Sequence, residues 1–205
     1  MPAMSPTLMF SLMLFALAMS ITPGPNNLML AASGLNFGFR RTIPHMLGVS
    51  VGVMLMVLAV GLGLGAVFAT YPAVYAVLRY GGAAYLLYLA WRIATAGAPG
   101  AAGRAARPFT FMQAAAFQWV NPKAWIMVVG AIATYTPQNG FFANLLMVML
   151  LFGVVNLPSI SLWVYAGSAL RHALRTPRAV RIFNLTMAVL LAASLYPTLR
   201  ELPVG

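Results

Sequence analysis

The chain has 205 residues, 62% hydrophobic and 6% charged, where a soluble domain carries about 25% charged residues; an ordinary water-facing surface is excluded. Twelve Lys or Arg stand against one acid, Glu201, giving a formal net charge of +11. That balance would suit nucleic acid, but the basic residues sit at the ends of apolar runs, where they read as topology signals and contacts to anionic lipid. No nucleic-acid partner is expected. The absence of cysteine excludes disulfides, thiolate metal sites and Cys nucleophiles, and neither a metal nor a cofactor is expected.

A helix needs about 20 mostly apolar residues to cross a bilayer, and the chain divides into about six such segments. No Lys or Arg precedes Arg40, so the charged n-region of a cleavable signal peptide is missing and the first segment is expected to be retained. That segment runs from Pro6 to Phe37 and contains Thr22-Pro23-Gly24-Pro25-Asn26-Asn27. Each proline removes a backbone donor and clashes with the carbonyl four residues back. The freed groups find no water in hydrocarbon and must face protein or a wet cavity. Pro25 is placed to open a second half-helix, whose free N–H groups and positive dipole end suit a carboxylate. Asn26 and Asn27 add side-chain donors and acceptors. A plain proline kink is the alternative.

The second segment runs from Pro44 to Thr70. Its Gly48, Gly52, Gly61 and Gly65 form two pairs at four-residue spacing, a helix-packing face; Gly34 and Gly38 repeat the spacing. The third runs from Pro72 to Ala94, and a hydrophilic loop from Gly97 to Arg107 follows. Arg79, about a third into the third segment, reads as a snorkelling side chain or as a group that helps neutralise a carboxylate.

The fourth segment, Phe109 to Tyr135, is interrupted at Asn121-Pro122-Lys123. Proline again follows a capping residue. Lys123 is the most informative charge, because a lysine at the bilayer centre costs about 2.5–3.5 kcal/mol on insertion scales. No interior carboxylate exists to pair with it, which leaves carbonyls freed by a break or a substrate's carboxylate. Trp119 and Trp125 beside this break could wall a cavity or simply pack. The fifth segment, Phe141 to Leu170, holds a weaker polar break at Asn156-Leu157-Pro158. Ser159 and Ser161 after it could face the same cavity or bond between helices. The sixth runs from Ala179 to about Leu199.

Arg40 and Arg41 fall between segments one and two. Arg92, Arg104 and Arg107 lie at the connection of three and four, and Arg171, Arg175, Arg178 and Arg181 between five and six. The alternate connections carry no charge. Positive residues favour the cytoplasm, so loops 1–2, 3–4 and 5–6 are expected inside and both termini outside. The two breaks fall in the first span of each half. Three spans per half is an odd number, so the halves must be inverted. An all-α membrane protein built as an inverted 3+3 repeat with helices 1 and 4 interrupted is a secondary-transporter signature. The expected organisation is one transmembrane domain over residues 1–205, with halves 6–96 and 109–200 joined by loop 97–108.

At these residues the sequence resembles the LysE/RhtB family of amino-acid exporters, over nearly the whole chain. The resemblance is carried by Thr22 to Asn27, Gly38-Phe39-Arg40, Gly48 with Gly52, Gly82-Ala83-Ala84-Tyr85-Leu86 through Leu89-Ala90-Trp91, and Asn121-Pro122-Lys123. The Asn-Asn form and Ala90 to Thr95 look most like the branch that includes the cysteine and O-acetylserine exporter. The resemblance implies efflux of amino acids or related small metabolites across the bacterial inner membrane, driven by the proton motive force or by exchange. It departs from the family in having no acid within the membrane; Asn156 stands where such an acid is expected, so proton antiport through an interior carboxylate is in doubt. His45 and His172 read as interfacial.

The substrate-binding candidates are Pro23, Gly24, Pro25, Asn26, Asn27, Asn121, Pro122, Lys123 and Asn156. The expected substrate is a small neutral zwitterion, because the lack of interior acids disfavours a strongly cationic one. A passive channel or structural subunit is the alternative, and an intramembrane enzyme, using Ser161 and Lys123, a more distant one. The glycine pairs make a homodimer an open possibility.

Overall fold

The computed structural model describes residues 4–64, 70–96, 107–174 and 176–196. Gly65, Arg104, Arg175, Glu201, most of the loop from 97 and the last residues of the sixth span lie outside them. Among the described residues there is no strand. The helices are α1 (Pro6–Ile21), α2 (Pro25–Phe37), α3 (Phe39–Ala59), α4 (Pro72–Ala94), α5 (Phe111–Phe117), α6 (Pro122–Tyr135), α7 (Phe141–Ala173) and α8 (Pro177–Ala193). A π turn, Val60–Leu64, prolongs α3, and a 3-10 turn, Gln118–Val120, precedes α6. Phe39–Leu64 and Phe141–Arg171 are each long and apolar enough to cross a membrane, and α1 with α2 passes the same test as a pair bent by 55°.

Local chemistry sets the helix starts. Helices α1, α2, α4, α6 and α8 open on proline, which needs no partner for an N–H in the first turn. Ser5, Thr110, Asn121 and Thr176 cap theirs with side-chain oxygens. Gly38 alone separates α2 from α3, at φ 82, a left-handed conformation that disfavours any side chain. The second span therefore begins earlier than Pro44: that proline lies inside α3, and Arg40 and Arg41 occupy its first turn. Only one hydrogen bond is lost there, to the Arg40 carbonyl near the exposed helix end. The expected break at Pro158 is also absent. α7 runs through it, and Ser159 and Ser161 bond the carbonyls of Val155 and Leu157 in their own helix.

Glycine lets these helices meet at backbone distance. A Cβ on Gly34 would strike the Val164 carbonyl, and one on Gly167 the Ala31 carbonyl, so α2 and α7 interlock. Gly48 lies on the Phe111 carbonyl, Gly52 on Ala115 and Gln118, and Gly61 on Leu145. These contacts lie within one chain, so those glycines carry no argument for a homodimer. Gly48, Gly52 and Gly61 pack as the sequence spacing led one to expect; Gly65 lies outside the described residues.

The outer surface is apolar, and several polar side chains are buried within the apolar core. Val77 and Met112 are both 72% exposed, while Gln118 and Asn184 are 0% exposed. Large apolar side chains stand outward on many of the helices, a surface that water would punish and lipid accepts. One end of the bundle gathers Asn36, Gly38, Arg92, Arg107 and Arg171. The other gathers Met4, Gly61, Tyr135, Phe141 and Leu145.

Candidate functional site

The break between α1 and α2 exposes carbonyls that a continuous helix would have used. Side chains from three helices take them. The Asn27 amide donates to the carbonyls of Ser20 and Thr22, at 2.7 and 2.8 Å. Trp163 of α7 donates its indole N–H to the Ile21 carbonyl at 3.0 Å. Lys123 of α6 donates to the Thr22 carbonyl and Thr22 Oγ1, both at 2.8 Å, and to the Pro23 carbonyl at 3.2 Å. Lys123 thus finds the carbonyls of the other break, one of the two partners that its sequence left open.

Its position has an electrostatic logic. Lys123 is the second residue of α6, where the helix dipole disfavours a cation, and its ammonium reaches the carbonyl end of α1, where the dipole favours one. Gly24 makes room for the reach. Its backbone is extended, at φ 178, so no unusual torsion calls for glycine; a Cβ there would lie 2.6 Å from Lys123 Cδ and 3.2 Å from Nζ.

The second break is built by Asn121, whose side chain accepts from the Lys123 N–H at 3.2 Å, followed by Pro122 at the helix start. A reciprocal amide pair ties the two breaks together. Asn26 Nδ2 donates to Gln118 Oε1 at 2.8 Å, and Gln118 Nε2 donates to Asn26 Oδ1 at 3.1 Å. The tryptophans at this break pack rather than wall a cavity: Trp119 and Trp125 meet edge to face, and Trp125 Nε1 donates to the Trp119 carbonyl at 2.8 Å.

Ser20, Gly24, Asn26, Asn27, Asn121, Lys123 and Asn156 line one cavity of about 340 Å³, counting its open mouth, with Val53, Met127 and Ile160 among its apolar walls. Asn156 Nδ2 donates to Ser20 Oγ at 3.1 Å, and Asn156 Oδ1 has no partner among the described residues, although the residue is 4% exposed. A buried acceptor left open is costly. Six of the nine candidates therefore meet in one cavity. Pro23, Pro25 and Pro122 do not line it; they shape the breaks. Arg79 is not among the lining residues and lies over the ring of its neighbour Tyr80.

Sequence reasoning passed over Ser20 and Trp163, and placed Thr22 and Gln118 at the two breaks without making them site members. A lone polar residue in an apolar run was the available signal for Ser20 and Gln118. Nothing in the sequence pairs Trp163 with Ile21, which stands 142 positions away.

No solved structure matches this chain. Three curated relatives are each described as a cysteine/O-acetylserine efflux protein, from Escherichia coli O139:H28 (strain E24377A / ETEC), Escherichia coli (strain K12) and Shigella sonnei (strain Ss046). Each is 31% identical over 190 residues, covering 92% of this chain and 95% of the relative. The LysE type translocator profile matches residues 17–193, from the last turns of α1 to the end of α8. With two interrupted helices meeting at a buried polar cavity and a match over most of its length, the chain belongs to the LysE-type translocator family.

Proposed function

We propose that this protein is a secondary carrier that exports a small neutral amino acid or derivative, of the cysteine/O-acetylserine or threonine/homoserine kind, across the bacterial inner membrane. One observation carries the reading. Around a single cavity stand a fixed cation, Lys123, and an unpaired buried acceptor, Asn156 Oδ1. A zwitterion presents the complement, a carboxylate for the first and an ammonium for the second. The N-terminal ends of α2 and α6 open beside the cavity, at Gly24 and Asn121, and add their favour for an anion. The names of the relatives support efflux of an amino acid and point to a transporter rather than an enzyme.

In this reading Lys123 and the substrate exchange partners. With the cavity empty, the ammonium is held by Thr22 and Pro23. An arriving carboxylate draws it away, freeing those carbonyls for the substrate's own ammonium. Coupling the occupied break to the surrounding helices supplies the two states that alternating access requires. The chain is one transmembrane domain of six spans in two inverted halves, 6–96 and 109–200. Its Arg-bearing end faces the cytoplasm, its termini face outside, and Pro23 to Asn27, Asn121 to Lys123 and Asn156 form its substrate site.

The test is efflux of preloaded labelled cysteine, O-acetylserine, threonine, homoserine and leucine from cells expressing wild type or Lys123→Ala. Faster loss of one or two neutral substrates in the wild type alone, at equal membrane levels, supports the carrier. No movement of any panel member by well-inserted protein overturns this substrate class. Loss that only follows the gradient, and never runs against it, favours a passive pore.

A further inference from the structure

A second cavity, about 540 Å³ counting its open mouth, lies at the basic end of the bundle. It shares no lining residue with the Lys123 cavity. Its walls are largely apolar, with Met29, Leu89, Ile93 and Phe109 prominent, and Arg92 and Arg107 line it together with His45.

Three facts set this cavity apart from a packing defect. His45 is 2% exposed, and neither Nδ1 nor Nε2 has a hydrogen-bond partner among the described residues. Its ring rests on Phe109, 5.2 Å between centroids, so it is held in place but unsatisfied. A neutral imidazole carries one N–H donor and one acceptor, and burying both unpaired is costly. Next, no Asp or Glu stands among the described residues, so no carboxylate there pairs with either arginine. Finally, the other polar groups are engaged: Ser33 with Thr42 at 3.1 Å, and Asn36 with the Ala32 carbonyl at 2.7 Å and Asn184 at 3.0 Å. What is left over is two guanidinium groups at an apolar pocket, with an unpaired imidazole buried in its wall.

We propose that this cavity is a second site, separate from Lys123, that binds an oxyanion carried on a small apolar body. Arg92 and Arg107 take the charge, the body lies against Leu89, Ile93 and Phe109, and His45 donates its ring N–H from the buried side. Guanidinium groups suit this task because their forked donors match two oxygens at once. Such an oxyanion has two sources at this end of the molecule, a free small carboxylate and the headgroup of an anionic lipid. The proposal does not depend on the Lys123 cavity carrying substrate.

The chain has two histidines, so His172→Gln leaves His45 as a single reporter. The full chain, labelled with isotopic histidine, is placed in phosphatidylcholine nanodiscs and titrated with butyrate, with butylammonium as control. The His45 ring resonances are expected to shift saturably with butyrate and not with butylammonium. Arg92→Gln/Arg107→Gln is expected to weaken that response about tenfold or more, the loss of about 1.4 kcal/mol, and each single variant by less. Both arginines are exposed, so the fold is expected to survive. Lys123→Ala is expected to leave the response unchanged. Replacing part of the lipid by phosphatidylglycerol separates the sources. A shift with this lipid that blocks butyrate assigns the site to a headgroup, and an unaltered butyrate titration assigns it to a free carboxylate. No saturable shift from either probe, or a shift that survives the double variant, overturns the proposal.

Discussion

The Lys123 ammonium lies 2.8 Å from both the carbonyl oxygen and the Oγ1 of Thr22, a residue 101 positions earlier in the chain. One side chain thereby closes the break between α1 and α2 and marks the break before α6. Each interruption supplies what the other lacks: free carbonyls at the end of α1, and a cation at the start of α6.

Removing the amine separates its structural from its functional role. Lys123→Met leaves the Pro23 carbonyl without the donor that reaches it at 3.2 Å, and an unsatisfied acceptor costs about 1–3 kcal/mol. The variant is expected to insert but unfold more readily in detergent, by that amount, and to lose efflux of the neutral panel. Full efflux at wild-type expression would remove Lys123 from the site.

Gly24→Ala tests the same contact from the other side. The backbone is extended there and accepts alanine, but the new Cβ would lie 2.6 Å from Lys123 Cδ. A flexible side chain moves before a backbone does, so the lysine is expected to leave Thr22. Stability should fall by about 1 kcal/mol, the low end for overpacking, while efflux falls about tenfold or more. Equal efflux in Gly24→Ala and wild type would mean that the lysine position does not matter.

The reciprocal pair of Asn26 and Gln118 should be coupled. A double-mutant cycle with Asn26→Ala and Gln118→Ala, read by reversible unfolding, is expected to return about 0.6–1.7 kcal/mol, the range between average and strongest polar pairs of membrane helices. Additive single effects would show that the two amides act independently.

Glycine should matter by position rather than by count. Gly167→Ala drives a Cβ onto the Ala31 carbonyl, where neither backbone gives way, whereas a Cβ on Gly81 meets nothing within 4 Å. Gly167→Ala is expected to lower folded membrane protein severely. Gly81→Ala is expected to be neutral or to stabilise α4 by up to about 1 kcal/mol, the helix-propensity gain. Fluorescence-detected size exclusion of the two variants checks both.

Asn156→Asp would place a carboxylate in the Lys123 cavity, which Asn156 lines. It is expected to pair with Lys123 and compete with a substrate's carboxylate, so KM for neutral substrates should rise while the membrane level holds. An unchanged KM would separate Asn156 from the substrate.

Composition alone determined that this chain must put its apolar atoms outward, because with 6% charged residues it has no way to cover itself for water. The breaks were equally legible, since proline cannot donate to the turn before it wherever it falls in a helix interior. Pro23 with Pro25, and Pro122, each behind a residue able to end a helix, appear as breaks in the structure. The same reasoning overshot at Pro158, read as a break, and at Pro44, read as a span start; both remain inside helices, α7 and α3, because one missing hydrogen bond is tolerated where neighbouring helices hold the backbone in place. Tertiary structure alone decided the partners. Lys123 could have met a carboxylate or a carbonyl, and Asn26 and Asn27 read alike in the sequence. Yet Asn27 turns back to its own break while Asn26 crosses to Gln118. Which donor reaches which acceptor depends on how the glycine faces of α2 and α3 seat against α7 and α5, a matter of shape in three dimensions. Local propensity is silent about it, because a hydrogen bond is made or lost within a few tenths of an ångström.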